Sequence, residues 1–269
     1  MIKIAHESPI SIFEEVQKIT DYDYALVHLF EENEEYLEKF KKAILKGREV
    51  ILDNSIFELE EAFDADKFAK WVDELRPTWY IIPDALEDAE KTMQQAADWY
   101  KKYKDIPGKS IGVVQGKTYQ EIKDCYRAMD EIANVDMIAI SFDYSYYRDS
   151  VPHPNKYISW MLGRVKLISD LMNDGTINTK KPHHLLGCGL PQEFSFYGHK
   201  DYDFIYSLDT SNPVVHGIKG IEYKPEGLWS KESQKLFELI NSEVDEDTEF
   251  LIYENIHKFK FLTNGRREG

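Results

Sequence analysis

The stretch Ile205-Tyr206-Ser207-Leu208-Asp209-Thr210-Ser211 decides the predicted fold. It has the pattern of a short buried strand that ends on a carboxylate followed by two hydroxyl residues. Three other apolar runs, residues 50–55, 80–84 and 111–116, also end on polar groups, and a helical pattern follows each of them. In a (β/α)8 barrel, the polar residues at the C-terminal strand ends point into one shared pocket. The pattern therefore predicts a single α/β barrel of the (β/α)8, TIM-like type, with Asp53, Asp84, Gln115 and Asp209 at its mouth.

Length and composition agree with this architecture. The chain has 269 residues, of which 42% are hydrophobic and 13% aromatic, and about 250 residues are typical of one such barrel. The net charge of −16, from 49 acidic and 33 basic residues, argues against a surface that grips nucleic acid as a whole, because phosphate binding depends on Lys and Arg. Local basic patches at residues 101–104, 180–184 and 258–267 stay open, although scattered solvated charge is the simpler interpretation of each.

The two cysteines, Cys125 and Cys188, are far apart and belong to no short Cys/His spacing. A structural zinc site needs about four such ligands, so we expect no metal and two reduced thiols, as in a cytoplasmic protein. Residues 1–4 are too short an apolar run for a signal peptide. No run approaches the ~18 apolar residues that cross a bilayer, so we expect no membrane partner.

Alternating strand and helix patterns run through the chain and predict one parallel sheet. A doubly wound open sheet fits the same alternation, but polar strand ends spread over the whole chain favour a closed barrel. We expect a single domain over residues 1–269, with residues 1–20 as an N-terminal extension and residues 228–269 as C-terminal helices. The predicted strands are 24–29, 49–53, 79–82, 110–114, 136–141, 184–187, 204–208 and 220–223, and the predicted helices are 31–45, 64–74, 87–103, 118–132, 156–173, 231–242 and 247–261.

The Tyr-rich segment 142–155 is too long for a plain connection and is typical of a lid or binding loop. Tyr144, Tyr146, Tyr147 and Arg148 are candidates for a stacking surface or a wedge against a nucleic acid. A homodimer surface is an equally good interpretation of these residues.

Five short motifs in order resemble a known family. They are Leu52-Asp53-Asn54-Ser55-Ile56-Phe57, Pro83-Asp84, Gly112-Val113-Val114-Gln115-Gly116, Leu185-Leu186-Gly187-Cys188-Gly189-Leu190-Pro191 and Ser207-Leu208-Asp209-Thr210. This series is similar to the DSGGF, GIVQG, LMGVGKP and FDCVLPTR motifs of the tRNA-guanine transglycosylase superfamily. The family's zinc cluster and its Thr-Arg pair are absent. Together with the short chain, these departures look more like the compact relatives, some encoded by bacteriophages, that exchange guanine for a 7-deazaguanine in DNA.

The resemblance implies a pentosyltransferase without a cofactor, acting on DNA, or alternatively on tRNA, together with a 7-deazaguanine base. It would work in the cytoplasm, or in the host cytoplasm if a phage encodes it. Retained configuration requires two displacements through a covalent intermediate, with Asp209 as nucleophile and Asp53 as general acid/base. The substrate-binding residues carried over from the family are Asp84 for the donor edge of the base, Gln115 and the Gly116 N–H for its O6, Phe57 and Leu186 for its faces, and Ser141 for a further contact.

Plainer interpretations stand beside these roles. Asp53 and Asp209 are each as well explained as helix N-caps, Asp84 as a turn residue, and Phe57 as core. Gln115 is harder to explain without a function, because a buried amide needs partners. A non-catalytic nucleic-acid-binding barrel is an alternative, and so is a glycoside hydrolase that uses the Asp pair, although no Glu acid is evident at a strand end.

Overall fold

A computed structural model of the chain describes residues 1–265. Eight parallel strands form a nearly closed barrel, with helices between them and at the C-terminus. The predicted fold class is therefore confirmed. The strands are β1 (Lys3–His6), β2 (Asp23–Leu26), β3 (Val50–Asp53), β4 (Trp79–Ile81), β5 (Lys109–Val114), β6 (Met137–Ser141), β7 (His183–Leu186) and β8 (Ile205–Thr210).

The strands follow the order β1-β8-β7-β6-β5-β4-β3-β2, so only the seam between β1 and β2 lacks a ladder. Residues before β2 bridge this seam instead. Asp21 donates its N–H to Ile4 O at 2.9 Å, and Thr20 Oγ1 accepts from His6 N at 2.9 Å. Backbone groups that would otherwise be unpaired in the interior are thereby satisfied, and the sheet closes around one core.

The helices surround the barrel and bury one face each. They are α1 (Phe13–Ile19), α2 (Val27–Glu32), α3 (Glu34–Leu45), α4 (Ile56–Leu59), α5 (Ala65–Leu75), α6 (Ala89–Lys102), α7 (Tyr119–Arg127), α8 (Ser145–Ser150), α9 (Lys156–Asn173), α10 (Asn212–Ile218) and α11 (Glu246–Asn264), with a π-helical turn at Ala128–Ile132 and 3₁₀ turns at Ile10–Ile12, Pro191–Tyr197, Lys200–Tyr202 and Leu236–Leu239. The capping box of Thr118 and Glu121 is present at the start of α7.

Two predicted boundaries are wrong at the seam. Residues 1–20 are not an extension outside the barrel, because Lys3–His6 forms β1 and pairs with β8 from Lys3↔Ser207 to His6↔Thr210. Residues 220–223 contain no strand. Tyr223 from this segment is buried, and its N–H donates to Asn255 Oδ1 of α11 at 2.8 Å. Both errors have one cause: the four-residue strand that ends on the polar His6 shows a weaker strand pattern than the alternating residues near Tyr223.

The segment 142–155 is a packed connection that contains α8, so its prediction as a lid or wedge is wrong for two of its tyrosines. Tyr144 and Tyr147 are buried, and their hydroxyls donate to the carbonyls of Val114 and Ser141. These hydrogen bonds satisfy the phenol groups inside the protein. Tyr146 is half-buried and Arg148 exposed.

At the C-terminus, the predicted helix at 247–261 is present as α11, whereas the one at 231–242 reduces to the 3₁₀ turn Leu236–Leu239. Residues 228–235 run as an irregular segment across the barrel mouth and place Lys231 there. Within residues 1–265, none of the helices is long and apolar enough to span a membrane.

Candidate active site

A hollow opens at the C-terminal ends of the strands. Seven of the eight site residues predicted from the sequence line it: Asp53, Phe57, Asp84, Gln115, Ser141, Leu186 and Asp209. Gly116 is the exception, and the contact of its N–H with substrate stays a prediction. The side of Gly116 where a Cβ would stand faces Glu121 and Ile122 at 2.8–2.9 Å, so this glycine allows α7 to pack against the strand end.

Asp209 is the last but one residue of β8, and two groups contact its carboxylate. Gly187 N–H donates to Asp209 Oδ1 at 3.1 Å, and His184 Nε2 donates to the same oxygen at 3.0 Å. His184 is itself fixed, because its Nδ1 lies 2.9 Å from Ser207 Oγ. The N-cap interpretation of Asp209 is wrong, since neither donor belongs to the helix that follows. His184, which looks like an ordinary histidine in the sequence, orients this carboxylate.

Asp53 ends β3 in a different environment. Its Oδ2 accepts from the Tyr24 hydroxyl and its Oδ1 accepts from Ser55 N at 2.5 Å. Burial raises the pKa of Asp53 to about 7, although both hydrogen bonds oppose the shift, and the charges of Asp209 and Asp84 add to it. Asp53 therefore holds a proton at higher pH than an exposed aspartate does. Ser55 lies two residues after Asp53, so the bond from Ser55 N is a local turn contact that occupies one of the two Asp53 oxygens.

Asp84 is held in a network of amides. Asn54 Nδ2 and Gln115 Nε2 each donate to one of its oxygens at 2.7 Å. Gln115 Oε1 in turn accepts from Glu87 N at 2.9 Å. Burial raises the pKa of Asp84 to about 6, against the effect of the two amide donors. Gln115 thus has the partners that a buried amide requires, and it fixes the orientation of Asp84.

One side of the hollow is aromatic. The rings of Phe57 and Phe142 lie with their centroids 6.0 Å apart, and Phe57 is 37% exposed. Lys231 places its ammonium 3.9 Å from the centre of the Phe142 ring. Leu186 also lines the hollow, whereas Ser141 directs its hydroxyl to Asp143 Oδ1 at 2.9 Å. A flat ligand would find an aromatic surface here beside the Lys231 ammonium group.

Sequence reasoning missed three charged residues that line the hollow: Glu7, Glu58 and Lys231. Burial raises the pKa of Glu58 to about 8, and the charge of Asp53 adds to the shift. Burial also raises the pKa of Glu7 well above its usual range, with further contributions from Asp209 and Glu58. Glu7 directly follows β1, so the rule that selected the other strand-end carboxylates would have found it had β1 been recognised.

Two further features concern metals and thiols. Among residues 1–265, no group of three or more His, Cys, Asp or Glu side chains is arranged to hold a metal ion. Cys125 and Cys188 are both free and buried. Cys188 lines the hollow, and burial raises the pKa of its thiol, which keeps it neutral.

The basic runs considered as nucleic-acid contacts are largely paired with carboxylates. Lys181 lies 2.8 Å from Asp130, and Lys102 lies 2.5 Å from Asp66. Lys258 lies 2.6 Å from Glu222. Neighbouring acids thus offset these charges, and Arg266 and Arg267 lie outside the described residues.

Comparisons with known proteins return no matching family model and no matching curated protein. Among solved structures, the chain is similar to an enolase protein from the environmental genome shotgun sequencing of the Sargasso Sea, at 8% identity and a TM-score of 0.45, over 78% of this chain and 54% of the other. It is also similar to the L384A mutant of methylaspartate ammonia lyase from Clostridium tetanomorphum, at 14% identity and a TM-score of 0.46, over 100% of this chain and 60% of the other. The chain thus spans little more than half the length of either, and neither likeness assigns a reaction to it.

These comparisons contradict the resemblance drawn from the five motifs. No model or curated member of the tRNA-guanine transglycosylase superfamily matches the chain, and the two solved structures named above are an enolase and an ammonia lyase. Membership in that superfamily, pentosyltransferase activity and guanine exchange in DNA or tRNA are therefore wrong predictions. The physical reason is that short strands ending on a polar residue and a glycine are what any parallel barrel mouth requires. DNA, tRNA and a 7-deazaguanine base as partners depended on this resemblance.

Proposed function

We propose that the protein is an enzyme, a hydrolase that cleaves a small glycoside by double displacement at the barrel mouth. The observation that carries the proposal is that Asp209 and Asp53 line one hollow and have different hydrogen-bond partners. Two carboxyl groups at one hollow can provide the nucleophile and the acid of a double displacement.

Asp209 has the features of the nucleophile. Its Oδ1 accepts the Gly187 N–H and lies 3.0 Å from His184 Nε2, which leaves Oδ2 free of both contacts. In the first step Oδ2 forms a bond to the anomeric carbon while the bond from that carbon to the leaving oxygen breaks. The product of this step is a glycosyl ester of Asp209.

Asp53 is the acid in the first step and the base in the second. Its pKa of about 7 keeps a proton available for the leaving oxygen near neutral pH. The resulting Asp53 carboxylate then accepts a proton from water, whose oxygen attacks the anomeric carbon and releases Asp209. Glu58, with a pKa of about 8, is a second carboxyl group with a raised pKa at the hollow, and it lies on α4 rather than at a strand end.

The other walls suit a sugar. Asp84, oriented by Asn54 and Gln115, can accept hydrogen bonds from hydroxyl groups, since an ionised carboxylate is an acceptor only. The exposed face of Phe57 can cover the apolar face of a sugar ring. Substrate specificity is accordingly expected to depend on Asp84, whereas turnover depends on Asp53 and Asp209.

The test is turnover of a panel of 4-nitrophenyl α- and β-glycosides between pH 5 and 8, by the wild type and by Asp209→Asn. The asparagine keeps the size of the side chain but loses the nucleophilic oxygen. We expect at least a 10³-fold lower rate for the variant on any substrate that the wild type cleaves. No cleavage of any panel member by the wild type, or equal rates for both proteins, would contradict the proposal.

A further inference from the structure

Arg164 is a charged side chain placed in the protein core. It lies on α9, is 0% exposed, and forms a 2.6 Å ion pair between its Nε and Glu193 Oε1. Tyr197 donates its hydroxyl to the same Glu193 oxygen at 2.9 Å. The other oxygen, Glu193 Oε2, is buried without a hydrogen-bond partner in the described part of the chain.

Such a pair is a poor way to stabilise a core. Removing two charges from water costs several kcal/mol each, and well-packed apolar side chains of similar volume often serve better. The unpartnered Glu193 oxygen adds to that cost. A role in orienting other groups would account for Arg164 better than stability does.

The remaining donors of Arg164 reach the segment that follows β7. Arg164 Nη1 donates to Leu186 O at 2.9 Å, and Nη2 donates to Gly187 O at 3.1 Å. Nη1 also lies 3.3 Å from Ile140 O at the end of β6. One rigid guanidinium thus binds two consecutive carbonyls at the floor of the hollow and ties them to the neighbouring strand, a fork that a lysine ammonium cannot reproduce.

The Leu186 carbonyl belongs to the same peptide group as the Gly187 N–H that donates to Asp209, and the Gly187 carbonyl belongs to the next peptide group. Gly187 has a φ of +63°, which turns its N–H toward Asp209 Oδ1 at 3.1 Å. On the opposite side the Phe142 ring packs against Gly187. Arg164, through the two carbonyls, therefore sets the direction of the Gly187 N–H, and the Phe142 ring limits the movement of Gly187.

We infer that Arg164 is a positioning residue that holds the Gly187 N–H on the Asp209 carboxylate, and that Glu193 keeps the guanidinium in place for this purpose. The catalytic consequence rests on the function proposed above, whereas the structural consequence does not. Arg164 acts through Gly187 and touches no substrate.

The structural part is tested by amide hydrogen exchange measured by NMR in the wild type, Arg164→Lys, Arg164→Met and Glu193→Gln. Arg148→Met, at an exposed arginine of α8, is the matched control. We expect Gly187 N–H to exchange at least tenfold faster in both Arg164 variants and faster in Glu193→Gln, while the amide of Ile51 in β3 keeps its rate. Arg164→Lys covers the case in which the methionine variant does not fold. Unchanged Gly187 exchange in a folded Arg164 variant would overturn the inference.

The catalytic part is tested on the substrate that the glycoside panel identifies. Arg164→Lys is expected to lower kcat at least tenfold with KM within twofold, and Arg164→Lys combined with Asp209→Asn to be no slower than Asp209→Asn alone. A full kcat in Arg164→Lys would overturn the catalytic consequence. If Asp209→Asn itself remains active, the proposed function fails, and the Gly187 exchange result still decides the positioning role.

Discussion

Replacing Gly187 with alanine should destabilise the protein by more than its backbone angle alone explains. A left-handed conformation costs a residue with a Cβ about 1–2 kcal/mol. A Cβ at Gly187 would also stand 2.6 Å from Phe142 Cδ1 and 2.9 Å from Cε1, and overpacking of this kind typically costs about 1–3 kcal/mol. We therefore expect a loss of roughly 2–5 kcal/mol in the free energy of unfolding.

Gly175 provides the matched control. Its φ of +75° is close to that of Gly187, but nothing lies within 4 Å of the place where a Cβ would be. Gly175→Ala should therefore lose only the backbone part, about 1–2 kcal/mol. Urea unfolding followed by tryptophan fluorescence measures both variants, and Phe142→Ala in the Gly187→Ala background should recover part of the difference. Equal losses for the two glycine variants would refute the claim that Phe142 constrains Gly187.

Three further predictions concern titrating groups. Folding raises the pKa of Asp53 to about 7, so the contribution of this carboxyl group to stability is present below the unfolded pKa and is lost as pH rises toward 7. Asp53→Asn should therefore flatten that part of the profile of unfolding free energy between pH 4 and 8. An unchanged slope would count against the raised pKa. Tyr24→Phe removes a hydrogen bond that lowers the pKa of Asp53, so the alkaline limb of the pH–rate profile should move to higher pH, whereas a move to lower pH would contradict the assigned role. Both ring nitrogens of His6 are buried without partners among the described residues, and burial together with Lys260 lowers the pKa of the imidazole to about 3. His6→Phe should leave the unfolding free energy at pH 5 unchanged or raise it by about 1–3 kcal/mol. A clear loss of stability would show that the imidazole has a partner.

Much of the fold was accessible from the sequence because each strand in the middle of the chain has enough apolar residues to show its pattern. Strands β3 to β8 were predicted within a few residues, and so were their polar ends. The missed strand, Lys3–His6, is short and ends on His6, whose imidazole is buried without a hydrogen-bond partner among the described residues. Where a polar side chain is buried in this way, the pattern of residue types is too weak to predict the strand.

The site was predictable only as far as it lies on strands. Asp53, Asp84, Gln115 and Asp209 follow buried runs, and geometry alone brings such positions together. Lys231 and Glu58 reach the hollow from an irregular segment and a one-turn helix, and nothing in their local sequence marks them. The identity of the family was the weakest inference, because its motifs describe barrel mouths in general.

The central claim is that Asp209 attacks a substrate carbon, and covalent trapping tests it most directly. A 2-deoxy-2-fluoroglycosyl fluoride of the sugar cleaved in the panel should label the wild type once, with the mass increase on the peptide that contains Asp209. Asp53→Gly should slow labelling much less than it slows hydrolysis of an unactivated glycoside, because fluoride needs little acid assistance. A label on another residue, or equal labelling of Asp209→Asn, would contradict the account.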